Sequence, residues 1–178
     1  MNFGILGSSF LLPGNQAWNK FNYKKTFCDI GDYKILRSRK FDFIILVLFI
    51  NDFKNEQNIT NYNNFLPIIK LIEERSKEKN LGTLVMLSSF KKDNLIRVNN
   101  NHSNEEKINE KFKNKFLKIK KKNTNFNFTD LDEIFKFRGF ENAFDSRNKY
   151  LTSCNLSQSG LDELAEFIQI FFESFFRQ

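Results

Sequence analysis

Apolar residues in this chain occur in short runs, separated by longer stretches where they recur every three or four positions. The sharpest run covers residues 41–50, Phe-Asp-Phe-Ile-Ile-Leu-Val-Leu-Phe-Ile, rich in β-branched residues and apolar on both faces. Such a run predicts a strand buried on both sides, the central strand of a parallel sheet covered by helices. Apolar runs at 2–7, 25–30 and 83–88, with an alternating segment at 125–129, predict four more strands. Between them lie helical rhythms. Over 62–79, Phe65, Ile68, Ile69 and Ile72 keep helical spacing while Glu73, Glu74, Lys77 and Lys79 fill the polar part, with Gly82 as the expected stop. Residues 105–123 predict a long basic helix with Ile108, Phe112, Phe116 and Ile119 along one side. Residues 157–176 predict a last helix, N-capped by Ser157 and burying Leu161, Leu164, Ala165, Ile168 and Phe172. Shorter helical segments are expected at 15–22, 33–39 and 130–137, and 90–104 reads as a polar loop holding His102.

Strands and helices alternating in this order build a parallel sheet between two helical layers. The expectation is one domain, 1–178, with a three-layer α/β/α, flavodoxin-like fold and a five-stranded parallel sheet. No internal repeat or linker divides it, and the Asn-rich stretch 55–64 reads as a loop. Ligands of such folds bind beyond the carboxyl ends of the strands, so the loops that begin at Gly7, Asn51, Ser88 and Thr129 are where chemistry is expected.

Composition adds bounds rather than a function. The 178 residues are 40% hydrophobic, which excludes wholesale disorder. The 23 phenylalanines, with abundant Lys and Asn, follow a drift toward A/T-rich codons and are not read as functional. The net charge of +7 favours acidic partners in general. No nucleic-acid motif accompanies it, so nucleic acid is not expected, and the dispersed lysines read first as solvated surface. The dense stretch 107–122 is the best candidate for a partner surface. Cys28 and Cys154 make neither a disulfide framework nor a metal site and suit a reducing compartment. The N-terminus reads as a strand rather than a signal peptide, and run 41–50 is about half the ~20 residues of a membrane helix. A cytoplasmic location with no membrane span is therefore expected. Asp130, Asp132 and Glu133 read as the acidic first turn of a helix, and the glycines are too few for a phosphate loop, so no metal or cofactor is expected.

Three loop regions resemble one family, the SGNH (GDSL-type) hydrolases. Ile5-Leu6-Gly7-Ser8-Ser9 resembles the first block of that family, a buried strand ending in Gly-Asp-Ser. Ser9 takes the nucleophile position and Ser8 stands in place of the aspartate. The strand ending Phe49-Ile50-Asn51-Asp52 is similar to the block that runs into Gly-x-Asn-Asp, with Asn51 as side-chain donor to the oxyanion and Phe49 in place of glycine. Asn155-Leu156-Ser157-Gln158-Ser159-Gly160 resembles the last block, whose first residue is the histidine base, with an aspartate three residues earlier to orient it. Here Asn155 holds the base position and Thr152 the orienting one. A serine hydroxyl is a poor nucleophile without a base, and an amide does not protonate near neutral pH. The resemblance therefore implies an esterase-type site for acyl or O-acetyl esters with an eroded triad. His102 could replace the base, although a solvated loop histidine is the simpler expectation.

A second resemblance is narrower. Asp130-Leu131-Asp132, Gly139, Asp145-Ser146-Arg147 and Tyr150-Leu151 are similar to the SGNH-like N-terminal domain of FkbH-type proteins. In that family the domain precedes a HAD-like domain that loads glyceryl or related groups onto carrier proteins. It implies a non-catalytic binding or accessory role, with an acidic carrier protein or an acylated carrier or glycan as partner. Asp145 and Arg147 would then line the pocket or form a structural ion pair.

Overall fold

The computed structural model describes residues 1–7, 16–49, 62–88, 102–131, 133–134 and 158–176. Five strands, β1 (Asn2–Gly7), β2 (Lys24–Asp29), β3 (Phe43–Phe49), β4 (Gly82–Ser88) and β5 (Phe126–Asp130), form one sheet in the order β2-β1-β3-β4-β5. Every neighbouring pair is parallel. Among the described residues α1 (Leu66–Ser76), α2 (His102–Lys122) and α3 (Gln158–Phe176) accompany them, with 3-10 segments at Gln16–Lys20, Ile30–Arg37 and Tyr62–Phe65. The α/β class and the single five-stranded parallel sheet agree with the reading of the sequence, and the strand order is the flavodoxin-like one.

The period of two along β3 divides the core. Phe43, Ile45, Val47 and Phe49 join one cluster, and Ile44, Leu46 and Leu48 the other. Each side chain is almost wholly buried, which stabilises by roughly 1.5–3 kcal/mol apiece and explains why this run was the clearest in the sequence. On one face α3 brings Leu161, Leu164, Ala165, Ile168 and Phe172 onto the first cluster, beside Trp18 and Phe21. On the other, α1 and α2 bring Ile68, Ile72, Ile108, Phe112, Phe116 and Ile119 onto the second. The abundant phenylalanine is thus structural. Phe172 meets Phe3 edge-on at 4.8 Å and Phe43 at 4.6 Å, in the geometry that ring quadrupoles favour.

Several boundaries differ from the expectation, each for a physical reason. The segment read as the loop 90–104 gives up its last residues to α2, which begins at His102. The first turn of α2 reads His-Ser-Asn-Glu in the sequence, so it carries no apolar signal. The pattern over 62–79 divides into a 3-10 turn and α1, because Pro67 in the first turn of α1 lacks an N–H and favours a helix start. Gly82 does not stop that helix, which ends at Ser76. It opens β4 opposite Phe43, where an added Cβ would lie 2.1 Å from the ring, so packing requires the glycine. Asp130 ends β5 directly before the helical residues Leu131, Glu133 and Ile134, and it is buried in an ion pair with Lys113 of α2. The cap expected at Ser157 lies outside the described residues.

At the amino end of the sheet Arg75 is only 3% exposed. It donates to the carbonyls of Leu36 at 3.3 Å, Ser38 at 2.9 Å and Phe41 at 2.8 Å, tying the approach to β3 onto α1. Its two terminal nitrogens are paired in this way, while its buried Nε has no partner, and the contact holds the end of the domain opposite the expected site.

Candidate functional site

A parallel sheet presents all its strand ends together, and this one changes direction at its centre. The chain moves from β1 outward to β2, then crosses back to place β3 on the other side of β1. The carboxyl ends of β1 and β3 therefore flank a topological switch point, the position where open α/β sheets form their binding crevice. The pairing of Leu6 with Leu46 sets the two ends side by side, with β3 continuing past β1 to Phe49. Beyond β3, Ser88 ends β4 opposite Phe49, fully buried, and Asp130 ends β5 opposite Leu87.

Helix α3 runs against the strands, and its aromatic contacts show which end faces the crevice. Phe172, near its carboxyl end, packs on Phe3 and Phe43 at the amino ends of β1 and β3. From Phe172 back to Gln158 is about 21 Å of helix, and β3 rises about 20 Å. The start of α3 is consequently level with the carboxyl edge of the sheet. Three anchor points thus share one edge: Gly7 ending β1, Phe49 ending β3 and Gln158 opening α3.

Those anchors are the points from which the three blocks of the SGNH-type pattern extend. Ser8 and Ser9 follow Gly7 in the chain, Asn51 and Asp52 follow Phe49, and Thr152 and Asn155 precede Gln158. These six residues lie outside the described residues, as do Asp145, Arg147 and Cys154. His102 opens α2, which follows β4, rather than sitting within a loop.

Two described groups at this edge carry polar chemistry. The Lys113–Asp130 pair was missed because its partners are read separately, one as helix surface and one as a helix start. Only the approach of α2 to β5 brings them together. Cys28, next to last in β2, is a half-buried free thiol that packs with the α1 and α2 face. Burial raises its pKa, and Asp32 nearby raises it further, so the thiol stays protonated near neutral pH. Among the described residues no three His, Cys, Asp or Glu side chains are grouped to hold a metal ion. No described helix is long and apolar enough to cross a membrane.

Together these features define an open α/β domain with a topological switch point between β1 and β3. No protein-family model and no curated protein sequence matches the chain. Among solved structures it is similar to the N-terminal part of the protein BF1531 from Bacteroides fragilis, which contains a phosphatase domain and was crystallised with Mg. The likeness has a TM-score of 0.60 at 12% identity and covers 93% of this chain but 50% of that one. The chain thus spans about half the length of that structure, and the likeness is one of fold.

Proposed function

We propose that this chain is a relative of the SGNH-type ester hydrolases with an eroded catalytic triad. Its site would lie at the carboxyl edge, with Ser9 as nucleophile, Asn51 as oxyanion donor and Asn155 where the base belongs. Ser8 and Asp52 would border it, and Asp145 and Arg147 would be its outer lining. The observation that carries this reading is the convergence of Gly7, Phe49 and Gln158, the anchors of the three blocks, on one edge of the sheet beside the switch point.

The chemistry of such a site is limited by its base. Ser9 must lose a proton to attack an acyl carbon, and the amide of Asn155 cannot take it. Oxyanion donors alone keep a residual acceleration of ~10³–10⁴ over water in serine hydrolases that lack a triad member. The natural chain is therefore expected to turn over short-chain p-nitrophenyl esters slowly. Asn155→His with Thr152→Asp restores a base and the group that holds its tautomer. The double variant should gain at least ~10²-fold in kcat/KM, and a further Ser9→Ala should remove the gain. A folded double variant with no gain overturns the catalytic placement of these residues.

One observation favours a second reading, in which the eroded site binds rather than turns over. The similar structure contains a phosphatase domain and is matched over only half of its length. That proportion suits an SGNH-like domain standing beside a HAD-like one, as in the FkbH-type arrangement. Phosphatase chemistry itself is not carried over to this chain. Magnesium takes carboxylate oxygens, and β1 here leads into two serines. The second reading expects the natural chain to bind an acylated carrier or glycan with no turnover, measured by titration calorimetry.

A further inference from the structure

The two edges of the sheet are defended differently. β2 carries Lys24 and Lys25, the usual guard of an exposed strand, whereas β5 (Phe-Asn-Phe-Thr-Asp) has no lysine. Among the described residues β5 pairs with β4 alone, so its outer side is an open edge. A groove of about 770 Å³ follows that edge, lined by Leu117, Phe128, Phe167 and Ile170, with Asp130 and Glu133 at one end. Leu117, on the α2 wall, is 45% exposed.

The register fixes what this edge offers. Thr83 pairs with Phe126 and donates its N–H to the carbonyl of Asn125 at 3.0 Å. In a parallel ladder the main chain of Asn125, Asn127 and Thr129 is then directed at β4, and the N–H and carbonyl of Phe128 point outward. Phe128 is the middle residue of β5. A second β5 running antiparallel and centred there exchanges two hydrogen bonds between the two Phe128 residues. The same register sets Asn127 opposite Thr129 of the other copy, on the α3 side of the sheet. The Nδ2 of Asn127 is buried without a partner, and the Thr129 hydroxyl is an acceptor for it.

Charge follows the same symmetry. α2 ends in Lys120, Lys121 and Lys122 and β5 begins at Phe126, so the amino end of β5 is basic. The groove's other end holds Asp130, paired with Lys113, and Glu133, which leaves one carboxylate in excess. Antiparallel pairing brings the acidic end of each copy toward the basic end of the other. It also keeps the lysine-rich ends of the two α2 helices apart.

We propose that the open edge of β5 is the interface of a twofold dimer, in which a second copy of this chain pairs its own β5 antiparallel to the first. The two sheets become one, and Leu117 of each copy is covered near the axis. The interface is isologous and closes at two copies, while the lysines of β2 keep the far edges from adding more. It is independent of whether the carboxyl-edge site turns over.

Sedimentation velocity of the full chain over a concentration series tests this, and should show a monomer–dimer equilibrium with nothing larger. Thr129→Lys gives β5 the guard that β2 has, and Leu117→Lys charges the groove wall. Each should weaken dimerisation about tenfold or more, ~1.4 kcal/mol. Leu117 is exposed and Thr129 half-buried, so both variants should keep the parent's circular dichroism. Glu133→Lys should weaken the dimer as well, and adding Lys120→Glu/Lys121→Glu should restore it, a rescue that damage to the fold does not mimic. Failure of that rescue overturns the antiparallel register. A monomer at every concentration overturns the proposal and leaves the edge to a strand of a different protein. A dimer indifferent to both Thr129→Lys and Leu117→Lys overturns it in favour of another surface, and assemblies that grow beyond two overturn the closed symmetry.

Discussion

Arg75 and Cys28 show how single residues acquire their properties from what surrounds them. The guanidinium of Arg75 is pushed down to about 10 by burial, with Glu78 and Asp42 opposing the change. It remains charged throughout the neutral range, so its three carbonyl contacts persist there. Folded and unfolded chains both hold its proton below about 10, and this group adds no slope of stability with pH in that range. Between that value and the ordinary guanidinium one, the unfolded chain keeps a proton that the folded chain has lost, so its contribution rises with pH. Arg75→Ala leaves the carbonyls of Leu36, Ser38 and Phe41 without their donor. It should cost ~3 kcal/mol, read from urea unfolding at pH 7. For Cys28 the raised pKa has a kinetic consequence. In a Cys154→Ser background, iodoacetamide at pH 8 should label the folded chain at least ~10-fold more slowly than the urea-unfolded chain, because the thiolate is the reactive form. Labelling at the unfolded rate would show that the thiol is neither buried nor depressed in acidity.

At the scale of elements, α3 carries the sharpest contrast. Ile170 and Phe172 are two residues apart and both large and apolar, yet one is 44% exposed and the other fully buried. Phe172 fills the space between Phe3 and Phe43 at the amino ends of β1 and β3. Phe172→Ala should therefore cost ~3–5 kcal/mol, whereas Ile170→Ser should stay within ~0.5 kcal/mol. Thermal and urea unfolding of the two variants side by side tests which side of α3 faces the sheet. The helical spacing Leu161, Leu164, Ala165, Ile168 and Phe172 already marked the buried side in the sequence. What periodicity could not see was any feature without an apolar rhythm. The first turn of α2 is polar, so it read as loop, and Gly82 read as a helix stop although Phe43, distant in sequence, is what requires it.

For the molecule as a whole, the path of the chain decides what the strands can do. Two moves, from β1 outward to β2 and back past β1 to β3, create the switch point and set the ends of β1 and β3 beside the start of α3. The triad-restoring variants test this arrangement, since a base added at position 155 can serve Ser9 only if the two meet at that edge. The sequence alone determined the class of fold, the number of strands, the parallel sheet and the buried stripes of the three long helices. Those properties are local: a run of seven apolar residues in β3, or a stripe every three or four in α3, commits a segment to one environment whatever lies far away. Tertiary structure alone decided which strands are neighbours, which ends share an edge and which charges meet. The pair of Lys113 with Asp130, the three carbonyls on Arg75 and the groove between Leu117 and Ile170 join residues well separated along the chain. Hydrogen bonds and ion pairs act over a few ångströms in space, and no local pattern records which distant partner the fold will bring within that reach.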